Sequence, residues 1–524
     1  MVIFLILLEG LATLLDILMG PGAVMSTEEA YNATSAAMLA CGHTEALWSL
    51  QYKWFCGGCS TEAVLAAPFF QWWGPTIFSW KWVMGCIHMV MVTAGSAIAG
   101  RAAGARSAFV FVGLMVAAPG FYRSLALTGF GNHAESTVFP FVAAAVLLYT
   151  HKRPQWTKIC AAVMAGVTMG FGIWFSPTAL HGLVAVVVVA VAAGPAAAGA
   201  FLVGLPIGLA PMVVYFKAQP INKLAASEWW TTIDFASFSD LVRWLITDFN
   251  TAQLWPTVGS TVSSMWWFSL VIIAILGMGA MANRTERPWA TRWFVPLLLG
   301  GLIGGYLIRA DLWSDNPAVM GFDPFNLRYR APLFPILALG AALTSGAMDE
   351  DSVFRKIAAA GVVVLIATGF VFRTQGFQIG TEAVFRQPAV PVDGRVDWTV
   401  PEGEPPTRLD RKMGRPEDIR AAVDFLEGHT DGLSVCREVH LAELGRRTGV
   451  GLGQGQSAID LAPALTLGAT LEGDERKAFV RGLVEPMNGK TQVPWAEAHG
   501  VLQSSVPVIG REAAVVHDRV HPQP

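Results

Sequence analysis

The sequence predicts an all-α polytopic membrane protein with a small soluble domain at its C-terminal end. The chain has 524 residues, of which 53% are hydrophobic and only 14% are charged, and its mean hydropathy is +0.47. A soluble globular protein carries about a quarter charged residues. The charges are also divided unevenly, since residues 1–372 hold 37 of them and residues 373–524 hold 38. The first part is therefore a membrane body, and the last part has the composition of a soluble domain.

About eleven transmembrane helices are expected in the membrane body, because a helix needs roughly 17–25 apolar residues to cross a bilayer. Pro119, Pro140 and Pro177 mark places where these helices should kink or break. The apolar stretches are 2–19, 77–99, 107–122, 135–150, 159–176, 178–194, 197–216, 261–282, 293–310, 329–347 and 357–373.

The loops between these stretches predict the orientation. Four short loops are rich in Lys and Arg, whereas the long loops 20–76, 123–134 and 217–260 carry few. By the positive-inside rule the short loops are cytoplasmic, so the N-terminus lies inside and the C-terminal domain lies outside a cytoplasmic (inner) membrane. The short loops are 100–106, 151–158, 283–292 and 348–356.

Three regions are predicted along the chain. Residues 1–373 form the membrane body, with a further outer loop at 311–328, and residues 374–414 form a linker that is Pro-rich over 387–408. Residues 415–524 form the extracytoplasmic domain. Apolar residues at helical spacing predict helices there over 415–429, 440–447 and 474–487.

The charge balance excludes one class of partner, and the first apolar stretch carries two acids from which no site is assigned. The net charge of −3, with no cluster of Lys and Arg, argues against a nucleic-acid binder. Glu9 and Asp16 lie within the first stretch, where an ionisable residue is a functional candidate. A helix packed inside the bundle, with its acids near an interface, explains them equally well.

Outer loop 20–76 contains the most informative motif, Ser26-Thr27-Glu28-Glu29-Ala30-Tyr31. Ser26 or Thr27 can cap a helix here, and acids in the first turn suit the helix dipole. The pattern is therefore explained either by a capped helix on a solvated surface or by a carboxylate held at the membrane rim as a general base toward a hydroxyl.

This arrangement resembles the GT-C superfamily of polytopic glycosyltransferases, which includes protein O-mannosyltransferases and aminoarabinose transferases. In that family a short first span is followed by an outer loop that opens with an acid, Glu, Ala and a nearby Tyr. Here Glu28 replaces the more common Asp, and Tyr31 comes one residue early. The resemblance covers about residues 1–345 and leaves the C-terminal domain without a match.

The resemblance implies a reaction and a set of site residues. A sugar would move from a polyprenyl-phosphate donor to an acceptor hydroxyl on a lipid, glycan or protein, with inversion at the sugar carbon. Glu28 would be the base and Glu29 its orienting neighbour. The segment Gly129–Phe141 offers His133 and Glu135 toward acceptor or metal, although an interfacial cap or ion pair also explains them.

Two further contributions follow from the same resemblance. Arg328 and Arg330, before a late span, would bind the donor phosphate, although snorkelling to the membrane interface also explains them. Tyr31 would contact substrate. A divalent cation, Mg²⁺ or Mn²⁺, could assist the leaving phosphate, with Glu29 and Glu135 as its ligands.

Four of the six cysteines are predicted to lie outside the membrane: Cys41, Cys56, Cys59 and Cys436. An oxidising compartment favours a disulfide, with the pairing among the first three open, while half a zinc site with His43 is an alternative. Cys86 and Cys160 fall within spans and are expected to be packing residues.

Two other functions compete with a transferase. A transporter or flippase of a lipid-linked saccharide would be expected to show internal repeats and charges at mid-membrane, and no repeat is visible. A catalytically inactive relative, acting as a membrane scaffold, is the other alternative.

Overall fold

The structure is a computed structural model, and the statements below concern the residues it describes. These are 2–19, 25–42, 57–74, 76–129, 134–218, 260–286, 288–309, 331–348, 352–384, 388–389, 434–453, 455–484 and 493–520.

The described chain is almost entirely helical, which confirms the predicted all-α class. The strands β1 (Met25–Ser26) and β2 (Pro388–Ala389) pair with each other. The helices are α1 (Val2–Met19), α2 (Thr27–Ala40), α3 (Gly57–Trp73), α4 (Ile77–Ala103), α5 (Ala105–Val116), α6 (Gly120–Ala126), α7 (Val138–Thr150), α8 (Gln155–Phe175), α9 (Leu183–Ala193), α10 (Pro195–Gly208), α11 (Ala210–Ala218), α12 (Ser260–Ala282), α13 (Trp289–Arg309), α14 (Leu333–Ala347), α15 (Val353–Val384), α16 (Ser434–Gly453), α17 (Ala462–Thr470), α18 (Gly473–Val484), α19 (Trp495–Ser505) and α20 (Pro507–Val520). Short 3₁₀ turns cover Ala134–Thr137 and Pro177–Gly182.

Five helical segments are long and apolar enough to cross a membrane, as expected of a multi-pass membrane protein. They are Ile77–Ala103, Gln155–Phe175, Pro195–Tyr215, Met265–Ala282 and Val353–Val371. Each of the other predicted stretches also contains a helix, but these helices are not among the five. The number of eleven spans therefore stays a prediction.

Two of the three prolines break helices. The predicted stretch 107–122 is divided, because α5 ends at Val116 and α6 begins after Pro119. Pro177 follows the end of α8 and opens a 3₁₀ turn. Pro140 instead lies in the first turn of α7, where a missing N–H costs no helical hydrogen bond.

The chain divides into two compact units. The first contains residues 1–24, 53–61 and 81–388, and the second contains residues 25–52, 62–80 and 389–524. Part of outer loop 20–76 thus belongs to the same unit as the C-terminal residues. Helix α15 passes through residue 374, the predicted start of the linker, and ends at Val384, while the predicted domain boundaries stay a prediction.

The C-terminal helices of the second unit surround their own apolar core, which includes Leu444, Phe479, Leu502 and Ile509. The predicted helices over 440–447 and 474–487 are found as α16 and α18. The predicted helix over 415–429 lies outside the described residues.

Close packing of α8 on α10 depends on two glycines in each helix, and the two glycines of each pair are four residues apart. A Cβ on Gly166 would lie 2.2 Å from the carbonyl oxygen of Phe201, and one on Gly204 would lie 2.2 Å from that of Val163. Gly170 and Gly208 make equivalent approaches. Small residues at such positions let two membrane helices approach backbone to backbone.

We expect Gly166→Ala to destabilise the protein by ~1–3 kcal/mol, because the added methyl group must push α8 away from α10. The matched control is Gly199→Ala on α10, where no heavy atom lies within 4 Å of the new Cβ. Unfolding of both variants in detergent measures the effect. Equal stability of the Gly166 and Gly199 variants would contradict the predicted backbone contact.

The four Lys/Arg-rich loops gather at one end of the helices of the first unit. Arg101 Nε donates to the carbonyl of Leu148 at 3.3 Å, and Arg284 Nε donates to that of Ala347 at 2.5 Å. Arg355 reaches the carbonyl of Ser345 at 3.0 Å. The loops that were assigned to one side of the membrane therefore share one end of the bundle, while its orientation stays a prediction.

The positive charges at this end act on His151, which follows α7. Burial lowers the pKa of the His151 imidazole, and the charges of Lys158, Arg101 and Lys152 lower it further. This imidazole therefore loses its proton at a lower pH than an ordinary histidine, which limits the charge accumulated at this end near neutral pH.

Candidate functional site

The motif of outer loop 20–76 forms the start of α2, as predicted. Thr27 is the first residue of the helix, so both acids occupy its first turn, where the N-terminal dipole stabilises negative charge. The side chain of Glu29 is fully buried, and its Oε1 accepts a hydrogen bond from Trp80 Nε1 at 3.2 Å. A solvated helix cap therefore does not describe Glu29. The side chains of Glu28 and Tyr31 lie outside the described residues.

Glu135 is held inside the first unit. It occupies the 3₁₀ turn before α7 and is buried. The next residue, Ser136, accepts a hydrogen bond from Thr178 at 2.7 Å, and Thr178 in turn lies 2.6 Å from the hydroxyl of Ser176. These hydroxyls fix the turn to the end of α8. His133, Arg328 and Arg330 lie outside the described residues.

Arg123 lies at the centre of a group of buried charged residues. Their contacts with one another were not predicted from the sequence. Its Nε donates to Asp16 Oδ2 at 2.8 Å, and its two terminal nitrogens form ion pairs with Asp16 and Glu9. One of these nitrogens also donates to Thr13 Oγ1 at 3.1 Å. His88 Nε2 lies 2.8 Å from Glu9 Oε1. We call Glu9, Thr13, Asp16, His88 and Arg123 the buried charge cluster.

The buried charge cluster joins three helices. Glu9, Thr13 and Asp16 follow one another along a single face of α1, since they are spaced by four and three residues. His88 comes from α4 and Arg123 from α6. The acids of the first stretch are thus inside the bundle, as the structural alternative predicted. Removing one partner of such a set leaves an unpaired charge away from water.

Aromatic rings extend from the cluster toward α14. Tyr122 lies next to Arg123 in α6, and its ring centroid is 6.0 Å from that of His88 and 4.6 Å from that of Phe334. Phe334 stacks on Trp266 with an interplanar angle of 13°. The 3₁₀ turn that carries Glu135 also contacts α6. The short helix α6 therefore connects the cluster, Glu135 and the start of α14.

The bonding of the cysteines favours the predicted disulfide over the alternative zinc site. Cys41 and Cys59 are both disulfide-bonded, so their sulfurs do not act as zinc ligands. Cys86 and Cys160 are free thiols but lie exposed on the surface of the helices, which corrects the prediction that they pack inside. No group of three His, Cys, Asp or Glu that could hold a metal ion occurs among the described residues.

Comparison with known proteins adds little. No family model and no curated protein matches the chain. Three solved structures resemble it weakly: the Archaeoglobus fulgidus oligosaccharyltransferase in the apo form (11% identity, TM-score 0.44), the same enzyme with Zn and sulfate (13%, 0.42), and archaeal oligosaccharyltransferase AglB from A. fulgidus with an inhibitory peptide and a dolichol-phosphate (12%, 0.41). Each likeness covers 82% of this chain and 56–58% of the other, so the chain spans less than three fifths of their length. Likeness at this level assigns neither a family nor an activity.

Proposed function

We propose that the chain is a membrane glycosyltransferase of the GT-C type, which moves a sugar from a polyprenyl-phosphate donor to an acceptor hydroxyl at the outer face of the membrane. One observation carries the proposal. An acidic pair opens α2 soon after α1, and one member, Glu29, is buried and held by Trp80. A fixed acid next to a second carboxylate suits proton abstraction at the membrane rim.

The reaction needs one base and one group that stabilises the leaving phosphate. In the proposed step the acceptor oxygen bonds to the sugar C1 while the bond from C1 to the phosphate oxygen breaks. The phosphate leaves with the bonding electron pair, and the hydroxyl proton passes to Glu28. Glu29 keeps Glu28 in place, and Tyr31 contacts substrate.

The remaining residues bind the two substrates. Arg328 and Arg330 bind the phosphate, since a guanidinium can hold it through two parallel hydrogen bonds. Glu135 and His133 bind the acceptor or, with Glu29, a Mg²⁺ or Mn²⁺ ion. If such an ion takes part, Glu29 and Glu135 would supply the oxygen ligands that it prefers, and it would add positive charge beside the leaving phosphate.

The buried charge cluster gives no support to transport. Charges at membrane depth often mark a transport pathway. Here Glu9, His88 and Arg123 are buried and bonded to one another, so the structure accounts for them as a link between helices.

The proposed function is tested with detergent-purified protein and a panel of polyprenyl-phosphate sugars, with and without Mg²⁺ or Mn²⁺. We expect one donor to bind and to be turned over when a suitable lipid, glycan or peptide acceptor is present. Binding without turnover across all acceptors would favour transport. Failure to bind any donor would favour an inactive relative.

We expect Arg328→Ala and Arg330→Ala to raise KM for the donor by roughly 10-fold or more, because each removes a charged hydrogen bond to phosphate worth about 1.5–3 kcal/mol. The KM for the acceptor should stay unchanged. Steady-state kinetics with each substrate varied in turn measures both values. Unchanged donor KM in both variants would remove the phosphate role. Arg153→Ala, which removes an exposed arginine from a loop predicted to be cytoplasmic, serves as control.

A further inference from the structure

Helix α2 is too weak to hold its position unaided. It has 14 residues, and isolated helices of about 12–15 residues are marginal in water. Four of its residues, Thr27, Asn32, Thr34 and Ser35, have poor helix propensity. The position of the acids in its first turn therefore depends on what packs against the helix.

Most of the described side chains of α2 are buried. Ala33, Ala36 and Ala37 have 0–1% of their surface exposed, and Asn32 and Ser35 are buried beside them. Among the described helices, α16 makes the most extensive contact with α2. Small side chains allow this close approach. One helix of the C-terminal domain thus covers the helix that carries Glu28 and Glu29.

Both ends of α2 are also fixed within the second unit. Strand β1 directly precedes Thr27 and pairs with β2, the segment that leads into the C-terminal residues. At the other end, Gln71 Nε2 of α3 donates to the carbonyl of Ala40 at 2.9 Å. The part of the chain from β2 onward therefore contributes the strand that pairs with β1 and a helix that packs along α2.

We infer that the C-terminal domain acts as a clamp on α2 and is required for α2 to keep its helical structure and position. The inference assigns a role to residues 434–520, which the proposed function leaves without one. It concerns how α2 is held and does not depend on which reaction its acids serve. The packed α2–α16 face is the contact that carries it.

Cleavage of the linker tests the clamp in the full chain. A recognition sequence for a site-specific protease is inserted after Glu402, and the purified protein is cleaved and then reduced, so that no disulfide can retain the fragment. We expect the fragment to remain bound during gel filtration. When mild denaturant then removes it, amide hydrogen exchange in α2 should rise by ~10-fold or more, equivalent to about 1.4 kcal/mol, while α8 stays unchanged.

Two outcomes would overturn the clamp. One is immediate release of the fragment on cleavage and reduction. The other is α2 exchange that stays the same after the fragment has gone. Neither readout uses transfer activity, so failure of the clamp and failure of the proposed function are distinguished.

A pair of variants tests whether α16 packs against the buried face of α2. Ala36→Leu should release the cleaved fragment and raise α2 exchange, because the larger side chain cannot fit on a fully buried face. Ala40→Leu, one turn further along and only half-buried, should leave both measurements as in the parent protein. Equal behaviour of the two variants contradicts the assignment. If Ala36→Leu does not fold, the cleavage experiment decides alone.

Discussion

Arg123→Ala is expected to lower the free energy of unfolding by ~3–5 kcal/mol, because it leaves the carboxylates of Glu9 and Asp16 buried without their cation. The loss reaches the upper range of core truncations, since two charges become uncompensated at once. Denaturant titration of the protein in detergent measures it. Arg153→Ala, which removes an exposed arginine, should change stability by no more than about 0.5 kcal/mol.

A triple variant distinguishes the effect of the buried charges on stability from the effect of side-chain packing. Replacing Glu9, Asp16 and Arg123 together by leucine removes all three charges and keeps apolar volume, and such replacements of buried ion groups are often neutral or stabilising. We therefore expect the triple variant to recover most of the stability lost in Arg123→Ala. A triple variant that is no more stable than the single one would show that the cluster does not act through its charges.

Glu28→Gln is expected to reduce transfer by about 10²–10⁴-fold, the usual contribution of a general base. The variant keeps the size of the side chain, so thermal unfolding should match the parent protein. Turnover of the donor identified in the panel provides the measurement. Parental turnover by both Glu28→Gln and Glu28→Ala would remove Glu28 as the base.

Trp80→Phe is the matched variant for the neighbouring acid. It removes the N–H that holds Glu29 Oε1 but keeps an aromatic ring in the same buried place. We expect a smaller fall in kcat than for Glu28→Gln, with donor KM unchanged. An effect as large as that of Glu28→Gln would indicate that Trp80 does more than position Glu29.

The helical architecture could be predicted because apolar runs of bilayer length leave few alternatives for the backbone. The helix that starts at Thr27 also followed from local signals, namely its capping residues and acids. By contrast, the break after Val116 was predicted only as a possible site, since a proline alone does not decide between a kink and a break.

The buried charge cluster could not be assembled from the sequence. Arg123 falls at the start of the predicted outer loop 123–134, and 107 positions separate it from Asp16. Two signals were available: acids spaced along one face of α1, and a lone arginine near the end of an apolar stretch. A requirement that charges at membrane depth be neutralised would have suggested the pairing, but His88 as a third partner needed the packing of α4.

The two faces of α1 impose an order on biosynthesis. Its outward face carries exposed Ile3, Phe4, Leu7, Leu11, Leu15 and Leu18, whereas its inward face carries the two acids that pair with Arg123. The ribosome makes α1 before α6, and the cation that neutralises Asp16 is synthesised 107 residues after it. Helix α1 can therefore reach its final, charge-neutralised state only after α6 has emerged.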